Sequence, residues 1–185
     1  GTGGAVAPCG RRDPGRRRAA TGGASGPRAA GSPAREALAY DVAQFGDPSE
    51  QVEQDWDTLA RLLRNLSRND EAVAAASKAL AIARALHGNE HTQVADKLNS
   101  LGVTLKITGD YPGAVRAHEE AWAISTRIKG ADHPDTLQMQ SNLLSAMQSD
   151  GQYRRTVPIL QDNLARTRKV LGDNDQRVAW AESTL

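Results

Sequence analysis

The chain has 185 residues, 39% of them hydrophobic and only 4% aromatic, with a formal charge of +1. Such a length suits one domain or one run of repeats, with a core built from Ala, Leu, Val and Ile. A single cysteine, Cys9, excludes an intramolecular disulfide framework and a cysteine-built zinc site, and no apolar run approaches the roughly 20 residues of a membrane span. No h-region follows the N-terminal arginines, so the expectation is a soluble, intracellular protein without a secretory signal.

The first segment in chain order is residues 1–35. It holds nine of the 17 glycines, four of the eight prolines and seven arginines against one acid, Asp13; this leader carries +6 and leaves −5 to residues 36–185. One valine is its largest apolar side chain, too little surface to offset the entropy of ordering, so the leader is expected to be disordered. Arg11, Arg12 and Arg16-Arg17-Arg18 leave three readings open. They suit contact with RNA, DNA or an acidic surface through counterion release, an organelle transit peptide, or a solvated leader with no task of its own or from outside the native product. No aromatic side chain interleaves the arginines to stack on bases, which favours the last.

From there the apolar residues recur at helical steps, as in Leu98, Leu101 and Leu105 or Ala121, Ile124 and Ile128. Eight helical segments are predicted, at about 36–45, 50–66, 70–87, 91–107, 111–129, 133–149, 153–171 and 174–185. Pro112 and Pro134 suit first turns, with Asp132 or His133 as a cap and Asp135 at the positive end of the dipole. Gly88, Gly130 and Gly172 suit the left-handed position after a helix end, and Gly109 and Gly151 suit tight turns. Pro158 falls inside the seventh segment, where a lost hydrogen bond and a clash cost about 3 kcal/mol, so a kink and a weaker unit are expected there.

The segments repeat. Glycines 46, 88, 130 and 172 are 42 residues apart, and Gly109-Asp110-Tyr111 recurs as Gly151-Gln152-Tyr153 at the same step. Leu59, Leu101, Leu143 and Leu185 keep that register, as do Ala37, Ala79 and Ala121. A period of this size means stacked two-helix units, each burying its apolar stripes against its neighbours. Full units cover about 46–87, 88–129 and 130–171, with partial units at both ends of the 36–185 array. Val178, Ala179, Trp180 and Leu185 form an apolar stripe with no following helix. That stripe points to a fragment of a longer array, or to self-association in which Val178, Trp180 and Leu185 meet another chain.

The unit resembles the tetratricopeptide repeat through Leu101-Gly102, Leu105, Gly109-Asp110-Tyr111, Ala114 and Ala121. Its 42-residue length and the phrase Gly130-Ala131-Asp132-His133-Pro134-Asp135-Thr136-Leu137, then Asn142-Leu143, resemble the kinesin-light-chain variety. Thr156 and Asn163 depart from the pattern by replacing two small alanines, and Ser67 and Asn69 replace the Gly and Tyr of the first unit's turn. The resemblance implies an all-α right-handed superhelix, a solenoid of about three and a half helix pairs, whose concave surface is lined by the first helix of each pair. Mapped by register, Arg61, Arg64, Asp96, Asn99, Lys106, Gln138 and Asn142 are the candidate peptide-binding residues on that surface. Asn99 and Asn142 would read a peptide backbone, and Arg61, Arg64 and Lys106 its acidic side chains. Carboxylate clamping by a Lys and Asn one turn apart is set aside, since Asp57/Arg61, Asn99/Val103 and Ser141/Ser145 do not match it.

Catalytic readings find little. Gly88 interrupts the helix that would place His87 and His91 on one face, His133 is explained by capping, and His118 replaces a packing residue and should be half buried. Gly1-Thr2-Gly3-Gly4 precedes no strand, Cys9 has no ordered base nearby, and no cofactor or metal motif is present. Trp122 aligns with Leu80 and is expected in the core, whereas Trp56 and Trp180 are expected near the surface. The reading is a non-catalytic protein–protein interaction module, cytoplasmic unless the leader targets an organelle, and part of a larger signalling or scaffolding protein. The alternatives are a self-association element using the C-terminal stripe and a nucleic-acid-associated adaptor using the leader. The −5 charge of residues 36–185 argues against nucleic acid in the groove itself.

Overall fold

The computed structural model describes residues 32–184. The expected leader lies outside them except for residues 32–35, which open the first helix. Among the described residues there are eight helices and no strand: α1 (Ser32–Phe45), α2 (Glu50–Asn65), α3 (Asn69–His87), α4 (Thr92–Thr108), α5 (Tyr111–Lys129), α6 (Pro134–Ser149), α7 (Tyr153–Leu171) and α8 (Gln176–Thr184). From α2 onward every start falls within two residues of the position that periodicity predicts.

The starts have local causes. Ser49 is extended and its Oγ accepts the Val52 N–H at 3.3 Å, with Glu50 and Glu53 in the first turn of α2. At α4 and α6 the cap is a histidine: Nδ1 of His91 accepts the Gln93 N–H at 3.2 Å, and Nδ1 of His133 accepts the Asp135 N–H at 3.1 Å. His133, not Asp132, is thus the cap of α6. Asp110 caps α5 by accepting the Gly113 N–H at 2.9 Å. The ends differ from the simple expectation. Gly109 is left-handed at φ 91° and ψ 1°, but Gly88, Gly130 and Gly172 combine φ of 76°, 90° and 83° with ψ of 176°, 158° and 166°. That second region is open essentially to glycine alone, because a Cβ there meets its own backbone.

Packing is shared from unit to unit. Leu38 of α1 joins Val52, Leu59 and Leu63 of α2 and the alanines of α3 in one cluster. Leu80 and Ala83 of α3 pass the core on to Val94 and Leu98 of α4, Ile124 of α5 and Met139 of α6. Leu143 and Met147 of α6 pack on Ala114 and Val115 of α5, and Leu144 joins Leu160 and Leu164 of α7 with Val178 of α8. Every helix packs on the next in sequence, and α4 also touches both α2 and α6. The first helices therefore form the inner, concave layer and the second helices the outer one.

The irregular last unit is accommodated. α7 runs from Tyr153 to Leu171 through Pro158, whose ring is exposed. Asn163, in place of a small alanine, is fully buried; its Nδ2 donates to Gln140 Oε1 at 2.9 Å and to the Leu137 carbonyl at 3.3 Å. Thr156 Oγ1 donates to the Gln152 carbonyl at 2.9 Å. These bonds satisfy polar groups that would otherwise be costly to bury.

Candidate functional site

The inner helices bring several of the candidate residues together. Asn142 Nδ2 of α6 donates to Asn99 Oδ1 of α4 at 2.9 Å, and Gln138 Nε2 donates to Asn142 Oδ1 at 3.2 Å. Lys106 Nζ of α4 donates to Ser145 Oγ of α6 at 2.6 Å. An amide stripe with an ammonium group beside it thus crosses from one unit to the next. Arg61 and Arg64 stand apart from this stripe, beside a narrow cleft of about 60 Å³ shared with Asp57, Ser100 and Thr104. Asp96 opens to the same surface. Desolvation raises its carboxyl pKa, and the negative charges of Asp135 and Asp57 add to this while Lys129 and Lys97 oppose it.

A larger cleft of about 580 Å³ lies between α6 and α8, lined by Gln138, Asn142, Ser145 and Trp180 among others. Arg177 at its rim is held by Asp175 in two charge-assisted bonds of 2.8 and 2.9 Å, which hold the Asp175 pKa down at about 2. Trp180 was not among the groove residues expected from the sequence, although the register contains the signal: it lies 42 residues after Gln138 and 84 after Asp96. Two of the three residues of the stripe expected for self-association lie among the described residues. Val178 is 1% exposed and packs against Leu144, Leu160 and Leu164 of its own chain, and Trp180 turns toward the groove. Leu185 lies outside the described residues.

Ion pairs cross between successive units on the outer side. On the outer layer Arg84 pairs with Glu120 at 2.7 Å, Arg127 with Glu90 at 2.6 Å, and Arg155 with Glu119 at 3.1 Å. On the inner layer no described carboxylate lies within ion-pair distance of Arg61, Arg64 or Lys106.

Three groups under this surface escaped the sequence reading. Glu53 is 3% exposed at the register position of Ala95 and Leu137; its Oε1 lies 3.3 Å from Lys97 Nζ and its Oε2 lies 3.7 Å from His87 Nε2. Lys97 also reaches Asp57 at 3.5 Å. Gly88 does break the helix between His87 and His91, yet the chain reversal stacks their rings 4.6 Å apart. No group of three or more His, Cys, Asp or Glu side chains among the described residues is placed to hold a metal. His118 is buried rather than half buried, at 1% exposure, and burial with the nearby Lys106 charge lowers its pKa to about 4. Trp122 is half-buried between two core clusters, and Trp56 packs against the first.

Residues 55–124 match the family model of the tetratricopeptide repeat. The array has the fold of a TPR-like helical-repeat solenoid. Among solved structures it is similar to the nearly identical TPR-like repeats of a Podosopora anserina chain described as a kinesin light chain, at 21% identity and a TM-score of 0.74, over 84% of this chain and 74% of that one. It is similar to BtubC (BKLC) from P. vanneervenii at 21% identity and a TM-score of 0.70, over 81% of this chain and 60% of that one. A third structure, a Rap protein complexed with competence and sporulation factor, aligns at 17% identity and a TM-score of 0.62, over 86% of this chain and 47% of that one. At these identities the likeness is one of fold. No curated protein matches the sequence. No helix among the described residues is long and apolar enough to cross a membrane.

Proposed function

We propose that the solenoid is a non-catalytic, cytoplasmic interaction module that binds an extended segment of a partner protein along α2, α4 and α6. Tetratricopeptide repeats typically act in protein–protein interaction. The observation that carries the reading is that three cations of the inner surface, Arg61, Arg64 and Lys106, have no described carboxylate within ion-pair distance and lie on the same face as the amide stripe. Cations left unpaired in a concavity favour anionic groups of a ligand, and the amides of Asn99, Gln138 and Asn142 can exchange their mutual bonds for bonds to a peptide backbone. The Rap structure, similar in fold, is of a complex with competence and sporulation factor, which supports a ligand-binding role.

The test is affinity capture with the full chain beside two variants, Asn99→Ala/Asn142→Ala and Arg61→Ala/Arg64→Ala. The asparagine pair is removed together so that neither amide is left facing an empty partner. A partner held by the parent chain and lost by both variants, with unchanged helicity, supports the reading. Equal capture by all three proteins contradicts it.

A further inference from the structure

The acids of the inner surface are as ordered as its cations. Asp57, Asp96 and Asp135 follow one another at steps of 39 residues, one from each inner helix. The same step brings Lys106 of α4 against Ser145 of α6 at 2.6 Å, so it marks side chains adjacent across neighbouring inner helices. The three acids also sense one another, since Asp57 and Asp135 both raise the Asp96 pKa. Four carboxylates lie along this edge, Glu53 being the buried one. They face two ammonium groups: Lys97 is shared by Glu53 and Asp57, and Lys129 bonds Asp135 at 2.6 Å. His133 Nδ1 lies 3.7 Å from Asp135 as well. One edge of the groove therefore keeps an excess of negative charge.

Arg61, Arg64 and Lys106 lie further along the same helices, nearer their C-terminal ends. On α4 Asn99 lies between Asp96 and Lys106, and its amide bonds continue through Asn142 to Gln138 on α6. Inner helices packed about 8–10 Å apart make the acidic row about 20 Å long, the rise of some six residues of extended chain. Successive side chains of an extended chain point to opposite sides. A segment lying on the amide stripe would send odd-numbered residues to one edge and even-numbered residues to the other.

Resting on the peptide-groove reading above, we propose that the preferred ligand is an extended segment of alternating charge, with Lys or Arg facing Asp57, Asp96 and Asp135 and with Glu or Asp facing Arg61, Arg64 and Lys106. An all-acidic segment would place half its carboxylates against the acidic edge, where like charges repel.

The test uses three fluorescently labelled ten-residue peptides and fluorescence anisotropy at low salt. One alternates Lys and Glu, one carries the same residues as a Lys block followed by a Glu block, and one alternates Ser and Glu. The alternating Lys–Glu peptide should bind the full chain at least tenfold more tightly than either of the others. Asp96→Lys should abolish that preference while leaving the Ser–Glu peptide bound as well or better, and Arg61→Glu/Arg64→Glu should weaken both. If the Ser–Glu peptide binds the parent chain as tightly as the Lys–Glu peptide, the two-edge inference is overturned and an acid-reading groove stands. If block and alternating peptides bind alike, the inference also falls, because charge composition and not alternation is being read. If none binds at millimolar concentration, the peptide-groove reading falls with it.

Discussion

His118 and Gly102 show how the repeat trades volume between facing positions. A Cβ built on Gly102 would stand 2.7 Å from the His118 ring, so the glycine of α4 exists because the imidazole of α5 fills its space. The first unit has Ala60 and Ala76 at the matching positions, and the third has Leu144 and Leu160. Gly102→Ala alone should destabilise by about 1–3 kcal/mol through overpacking, and adding His118→Ala should recover much of that by recreating the first unit's pair; urea unfolding of the single and double variants measures both. The same histidine has a pH signature. Its folded pKa of about 4 lies below the ordinary 6.5, so unfolding at intermediate pH takes up a proton. Its contribution is complete above pH 6.5 and falls as pH drops toward 4, by up to about 3 kcal/mol in total. His118→Leu should flatten that part of the stability profile between pH 6.5 and 4.5, measured against the parent at each pH.

Among the elements, the turn between the two helices of a unit is the informative comparison. Ser67 occupies the place of Gly109 and Gly151 and holds a positive φ of 57°, a conformation that costs a residue with a Cβ roughly 1–2 kcal/mol. Ser67→Gly should therefore raise the thermal midpoint even though glycine gains more freedom in the unfolded chain, and calorimetry checks it. Helix existence and order were legible in the sequence because the 42-residue register repeats each signal, and starts such as that of α5 carry both a cap and a proline. What escaped were contacts that no single repeat encodes. Glu53, Lys97 and His87 come from three helices and meet only when two units stack, Glu53 standing where the later units have Ala95 and Leu137. Trp180, 42 residues after Gln138, lines a cleft with it, a neighbourhood that the apolar pattern of the last segment does not by itself reveal. Asn99 and Asn142, chosen from the sequence as partners of a ligand, are bonded to each other in the free chain, a pairing that two-dimensional spacing does not reveal.

At the scale of the whole molecule the outer layer is tied by ion pairs that recur from unit to unit, Arg84 with Glu120 and Glu119 with Arg155, each 36 residues apart. Exposed pairs of this kind contribute about 0.2–1 kcal/mol each and are screened by salt. Arg84→Ala should cost less than about 1 kcal/mol in dilute buffer and almost nothing at high salt, since the shared apolar clusters and not the ladder hold the units together. The inner surface, by contrast, keeps Arg61, Arg64 and Lys106 without a carboxylate partner beside the amide stripe, where a ligand would lie. Hydrogen–deuterium exchange on the full chain with and without its captured partner tests that placement most directly. The account predicts that bound partner protects α2, α4 and α6, above all around Arg61 to Arg64, Asn99 to Lys106 and Gln138 to Ser145, with α3, α5 and α7 unchanged. Protection confined to the outer helices, or to α8 alone, would contradict it.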